Sequence, residues 1–342
     1  MQVLNTLSFL DCLSQPRVKS YQDFFYPGGL PHHDDDLAYM YLWNNEISEI
    51  FWKVIPLIEI TMRNKLHKEL SSVYFSHPKM IVGNGFFQNQ FATNKISTPT
   101  IGTFNSCNWY HAVNFTGEAL SSITKRTHFK KPNNKFYRKT YAVTPDDVIS
   151  GLTFGFWRFL FKNLGTAGVA YQNIVSEIFR YSPFYRQTVT PSLDFKLDRR
   201  IEMIHSFRNR VSHHEPVWKL KDMMEEKITP IPGNANNINV KKSKPLNKDD
   251  SFEHLVDYYQ MMIEYLQWLD RDLAKSFKVS WWNDRFLFLC SDRGVNSLLR
   301  THSGEVNLSR SVFKRDIKGV MSKGRSKIIL DGKRKAIFIP LK

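Results

Sequence analysis

The chain has 342 residues, 42% of them hydrophobic and 14% aromatic, which is enough apolar side chain to bury a core and too much for a largely disordered protein. Its 48 Lys and Arg against 32 Asp and Glu give a formal charge of +16, which favours a polyanionic partner such as nucleic acid or an anionic membrane surface. Cys12, Cys107 and Cys290 are too scattered for a disulfide framework or a cysteine-based zinc site, and no uncharged run is long enough to span a bilayer, so a soluble, cytoplasmic protein is expected.

Residues 1–36 read as an N-terminal extension lying on the core. Asp34, Asp35 and Asp36 precede a helical pattern that starts near Leu37, and one of them suits the N-cap. With His32 and His33 they make a nominal metal cluster, for which a capped helix start with solvated charges is the simpler reading. The pattern runs from Leu37 to Leu70, as two segments meeting near Pro56. Its apolar stripe is Ile55, Met62 and Leu66, with Glu59 in the middle. A carboxylate there calls for a partner, because burying it alone is costly.

From Ser71 to about Asn108 the pattern dissolves into loop, and the Gly83–Gly85 run lacks the glycine spacing of a dinucleotide site. Ser121–Thr140 then carries seven basic residues and no acid: Lys125, Arg126, Lys130, Lys131, Lys135, Arg138 and Lys139. Interleaved with Phe129, Phe136 and Tyr137, they suit a surface that binds RNA phosphates and stacks bases, or equally a solvated loop.

Thr144–Asp147 is a helix start, and the apolar run after it reads as one buried helix in which Gly151 and Gly155 permit close approach by another. Ser182–Ser192 is a Pro-punctuated connection, with a helix from near Leu193. Residues 222–250 look like a flexible loop. Phe252–Phe277 reads as an aromatic helix. The organisation expected is a helical domain over 37–280, with an insertion at about 76–143, and a basic C-terminal appendage over 281–342. Within that appendage Asn307–Lys342 holds eleven Lys and Arg against two Asp. Lys327–Leu330, Asp331-Gly332 and Lys333–Ile339 read as strand, type I′ turn and strand.

The chemistry concentrates in Ile201–Trp218, IEMIHSFRNRVSHHEPVW. On a helix at about 100° per residue, Leu197, Ile201, Ile204 and Val211 form a stripe with Arg208 in its middle. Arginine stays charged, so something must compensate it, and Glu59 is the natural carboxylate. Glu215 precedes Pro216, which ends the helix and puts His213 and His214 in its last turn. A histidine beside a fixed guanidinium is what phosphodiester cleavage without metal requires: one moves protons, the other neutralises charge on the transition state. Adjacent histidines point about 100° apart on a helix and do not readily share one ion, so neither metal nor other cofactor is called for.

Arg208-Asn209-Arg210-Val211-Ser212-His213 resembles the R-x4-6-H motif of HEPN-domain ribonucleases, and the wider RNRVSHHEPVW is similar to the abortive-infection (Abi)-like branch. Ile58–Leu70, Thr144–Trp157 and Phe252–Phe277 resemble that branch as well. The resemblance implies an all-α, HEPN-type helical bundle in which two motif helices face each other across a homodimer. Carried over, Arg208 and His213 are catalytic with Asn209 orienting histidine or phosphate and His214 and Glu215 in support; Glu59, from its place on the stripe, and Arg63 are expected to support them as well. The function implied is a toxin–antitoxin or phage-defence endoribonuclease. The alternative is a non-catalytic RNA-binding protein, for example one that assembles with a small non-coding RNA.

Overall fold

The computed structural model describes residues 5–75, 102–111, 113, 115, 117–130, 136–138, 143–166, 171–227, 238–299, 307–322, 327–331 and 334–338. Helices dominate, and the fold class is all-α as expected. The organising element is α3, Asp34–Tyr74, which follows α1 (Thr6–Asp11) and α2 (Gln15–Phe25). Its cap is His33 rather than an aspartate. Asp36 closes a capping box by accepting from the His33 N–H at 3.0 Å, so Asp34–Asp36 occupy the first turn, where carboxylates offset the positive end of the helix dipole.

α3 is one 41-residue helix with Pro56 inside it, not two segments. Proline leaves the Trp52 carbonyl without its helical donor. Burial on both sides of the proline outweighs that loss, since Val54, Ile55, Ile58 and Met62 are each at most 1% exposed. Ile58, and not Glu59, occupies the centre of the stripe. Glu59 lies half-buried on its flank.

The next helices are α4 (Gly117–Thr127), α5 (Pro145–Ser150), α6 (Phe154–Thr166), α7 (Tyr171–Ile178), α8 (Pro191–Ser212), α9 (Lys248–Leu269), α10 (Arg271–Lys278), α11 (Trp281–Leu289) and α12 (Asp292–Leu299), of which α7, α8, α9, α11 and α12 pack directly on α3. The run after Thr144 is therefore two helices: Gly151 caps α5, and Thr144 and Asp147 form the box that starts it. Gly155 does permit a close approach, since a β-carbon there would lie 3.5 Å from His205 Nε2 of α8. Phe252–Phe277 is likewise divided, by Asp270, which ends α9 and accepts from the Leu273 N–H to start α10.

The N-terminal helices are part of the packing. Tyr21, Phe24 and Phe25 of α2 surround Trp218, with ring centroids at 5.2, 4.4 and 5.0 Å. Residues 281–299, expected in the appendage, belong to the core instead. Trp43 donates to the Leu289 carbonyl at 2.9 Å, and Phe286 stacks on Tyr259 at 4.1 Å.

Strands are short. β1 (Gly102–Thr103) pairs with β2 (Ser106–Cys107), β3 (His128–Lys130) with β4 (Phe136–Arg138), and β5 (Met223–Met224) with β6 (Val240–Lys242). The 222–250 segment is thus structured at both ends. In the tail, β7 (Asn307–Ser309) runs parallel to β8 (Lys327–Asp331), which pairs antiparallel with β9 (Arg334–Phe338) as the hairpin reading expects. Two short helices, α13 (Arg310–Arg315) and α14 (Ile317–Ser322), connect β7 and β8. Gly332 and Lys333, which join β8 to β9, lie outside the described residues.

Candidate nuclease site at the end of helix α8

Thr190 caps α8, accepting from the Leu193 N–H at 3.2 Å, and Pro191 stands at the first helical position, where its missing N–H costs nothing. The buried stripe is Leu197, Arg200, Ile201, Ile204, Phe207 and Val211. Phe207 fills the place expected for Arg208, with its ring centroid 4.3 Å from that of Phe51 on α3. Arg208, one residue on, is half-buried at the edge of the stripe, with its guanidinium 5.8 Å from the Trp52 ring centre. Its Nε is buried and has no hydrogen-bond partner among the described residues.

The pair expected between Arg208 and Glu59 does not form among the described residues, because each side chain lies at the edge of its helix's buried stripe and the two influence each other only through their charges. No ion pair within 4.0 Å joins them among the described residues. Burial raises the Glu59 carboxyl above its ordinary range, and the charges of Arg208 and then Arg63 pull it back down. Arg63 itself donates to the Asn64 side chain at 3.2 Å.

The helix terminates in a Schellman turn. The Glu215 N–H bonds to the Arg210 carbonyl at 3.0 Å and the His214 N–H to that of Val211 at 3.1 Å. His213 is therefore the C-cap, and His214 takes the left-handed position usually given to glycine, at φ 53°. Arg210 fastens the turn from outside, donating to the Pro216 carbonyl at 2.9 Å with Glu215 3.7 Å away. Beyond it the chain is pinned by the Val217 N–H on Asn44 Oδ1 at 2.8 Å and by buried Trp218. His213, His214 and Glu215 thus stand exposed on a well-anchored turn.

His205 enters the site without being expected there. Its Nδ1 lies 3.3 Å from Arg158 Nη1 of α6, and its Nε2 lies 3.4 Å from the Asn209 amide nitrogen. Arg158 also holds Glu202 at 2.6 Å, and Arg199 grips the other oxygen of that carboxylate at 2.7 Å. Burial, then the charges of Arg158 and Arg208, push the His205 imidazole below its ordinary range, so it is neutral at pH 7. The sequence does carry a signal for it: His205 precedes Asn209 by one helical turn.

The motif residues divide between two clefts. Asn209, Arg210 and Glu215 line one of about 360 Å³ with Arg199 and Glu202. His214 and Ser212 line another, of about 800 Å³, with Trp52 and Arg17. Arg208 and His213 are five residues apart, so at about 100° per residue their side chains leave the helix about 140° apart. Nothing among the described residues couples them within one chain.

The family model for Abi-like proteins matches residues 9–219, from α1 to the residue after Trp218. The chain belongs to the Abi-like protein family. That membership points to an abortive-infection or phage-defence role. The match ends at the anchored segment that follows the RNRVSHHEP run, and the Phe252–Phe277 stretch lies beyond it. Neither the curated proteins nor the solved structures yield a match.

A second polar cluster in this Abi-like chain superficially resembles a serine hydrolase. His67 Nε2 lies 3.0 Å from Ser106 Oγ and 3.4 Å from Asp146, and Ser106 donates to Asp146 at 2.8 Å. Yet Trp109 Nε1–H donates to His67 Nδ1 at 2.8 Å. An indole nitrogen only donates, so Nδ1 accepts and Nε2 carries the proton. That nitrogen cannot then take a proton from Ser106. The cluster fastens the 102–111 segment and α5 to α3.

Of the basic residues expected to bind RNA, Lys125 and Arg126 are exposed in the last turn of α4, with Arg126 lying over Gly151. Lys130 and Arg138 sit in β3 and β4. Lys131, Lys135 and Lys139 lie outside the described residues. Among the described residues no helix is long and apolar enough to cross a membrane.

Proposed function

We propose that this Abi-like protein is a metal-independent endoribonuclease of the HEPN type, acting as a toxin or phage-defence effector in the cytoplasm. The observation that carries the reading is the end of α8. There a half-buried guanidinium, whose Nε has no hydrogen-bond partner among the described residues, precedes by little more than one turn an exposed histidine pair on an anchored backbone. Arg208 would neutralise the phosphorane-like transition state, and His213 would move protons between the ribose 2′-OH and the leaving oxygen. Because the two side chains diverge, the complete site takes Arg208 and His213 from different protomers of a homodimer. Trp52 supports the reading too, as an exposed ring, 43% accessible, on which an unpaired base can stack beside the cation.

The divergence of Arg208 and His213 also favours the second reading, an RNA-binding protein that grips a small non-coding RNA without cutting it. Purified protein, incubated with total RNA with and without EDTA, separates the two. Cleavage insensitive to EDTA supports the nuclease; intact RNA retained on the protein supports the binder.

A further inference from the structure

The Arg158–His205–Asn209 chain fixes which way the Asn209 amide faces. A guanidinium only donates, so the His205 Nδ1 that lies 3.3 Å from Arg158 must accept. In a neutral ring the proton then sits on Nε2. The Asn209 amide nitrogen lies 3.4 Å from that Nε2–H, donor against donor, and the conflict is relieved only by turning the amide about, so that Oδ1 meets the ring. We propose that Arg158 and His205 are positioning residues for the HEPN-type site, holding Asn209 so that its amide nitrogen points outward as a fixed donor for a substrate phosphate oxygen.

This rests on the nuclease reading and decides a point it left open. With Oδ1 engaged inward, the outward edge of Asn209 has no acceptor with which to orient an imidazole N–H. It would then carry two N–H groups on the side of Asn209 away from the ring, and Asn209 lines the cleft that Arg199 and Arg210 share. The ring is held from several sides: a β-carbon at Gly155 would lie only 3.5 Å from its Nε2, the Phe154 ring meets it edge-on at 5.7 Å, and Glu202 ties Arg158 to Arg199. Gly155 and Phe154 belong to α6, so the orientation of a motif residue is dictated by a neighbouring helix. A bent or rotated α6 would release it.

Long-range proton–nitrogen NMR of the full-length protein reads the tautomer directly, independently of any activity. The proton is expected on Nε2 of His205, and a proton on Nδ1 overturns the proposal. Kinetics supply the second arm. His205→Gln keeps the polarity, since its oxygen can accept from Arg158 and its nitrogen can donate to Asn209, and should retain most of kcat. His205→Glu offers acceptors only, turns the amide round, and should lower kcat by about tenfold to a hundredfold with KM little changed. Asn209→Asp, which keeps shape and loses the donor, should fall as far as Asn209→Ala. Equal rates for the Gln and Glu variants at position 205, or an active Asn209→Asp, would overturn the proposal. Should Arg208→Ala and His213→Ala both cut RNA normally, it is the nuclease reading that fails, and the NMR result still stands by itself.

Discussion

Arg200 and Glu226 form a two-pronged ion pair across the gap between α8 and the residues after β5, with Arg200 only 3% exposed. Glu264 at 2.8 Å and the Met261 carbonyl at 2.8 Å complete the shell, and the guanidinium lies 4.7 Å from the Trp268 ring centre. Glu226→Ala removes the bidentate partner and leaves a buried cation partly uncompensated. A drop of about 3 kcal/mol in stability is expected, measured by denaturant unfolding. A change within experimental error would mean that the pair is not the clamp between α8 and the 222–227 segment.

The same cation shows how far periodicity reaches. A buried arginine does need carboxylates, but the arginine that is buried stands two helical turns before Arg208. Arg200, Ile204, Phe207 and Val211 follow the four-three-four spacing of a core stripe, whereas Arg208 belongs to its edge. The partners of Arg200 come from residue 226, in a segment read as flexible, and from α9, so one-dimensional periodicity could not name them. Local signals fared better: the Thr144 capping box, the helix start before Leu193 and the C-terminal hairpin are all encoded by near neighbours. The left-handed turn at His214 was hidden because a histidine, not a glycine, occupies it.

That turn supplies a second expectation. His214→Gly removes the penalty of a side chain in the left-handed region, about 1 kcal/mol, so the variant should melt at a higher temperature than the parent. Under the nuclease reading it should also cut RNA more slowly, because an exposed histidine of the site is gone. A higher melting temperature with undiminished cleavage would assign His214 no part in the site.

Acid should weaken the fold through His67. Burial holds its imidazole below the ordinary value of 6.5, while Asp146 pulls it back up. The unfolded chain therefore binds more protons than the folded one below that value, and stability rises with pH. The contribution is fully present above about pH 6.5 and fades as pH falls toward the folded pKa, when a proton on Nδ1 would confront the Trp109 N–H. His205 and His254, both also held low by burial, add slope in the same direction. Melting temperatures between neutral and mildly acid pH should show a shallower acid decline for His67→Gln. An unchanged slope would remove His67 as a contributor.

Charge at the end of α4 should show in salt dependence. Lys125→Gln with Arg126→Gln is expected to weaken RNA binding and to lower the slope of log affinity against log salt by about 0.7 for each phosphate no longer neutralised. An unaltered slope would mean that this stretch of the basic patch does not meet RNA.

The most direct test of the central claim is RNA integrity in cells expressing the parent chain beside Arg208→Ala and His213→Ala at matched protein levels. The account predicts degraded RNA and arrested growth with the parent and neither with the two variants. Mixing the variants as purified proteins should restore part of the cleavage, since a heterodimer rebuilds one complete site. RNA degraded equally by all three proteins would contradict the assignment of Arg208 and His213.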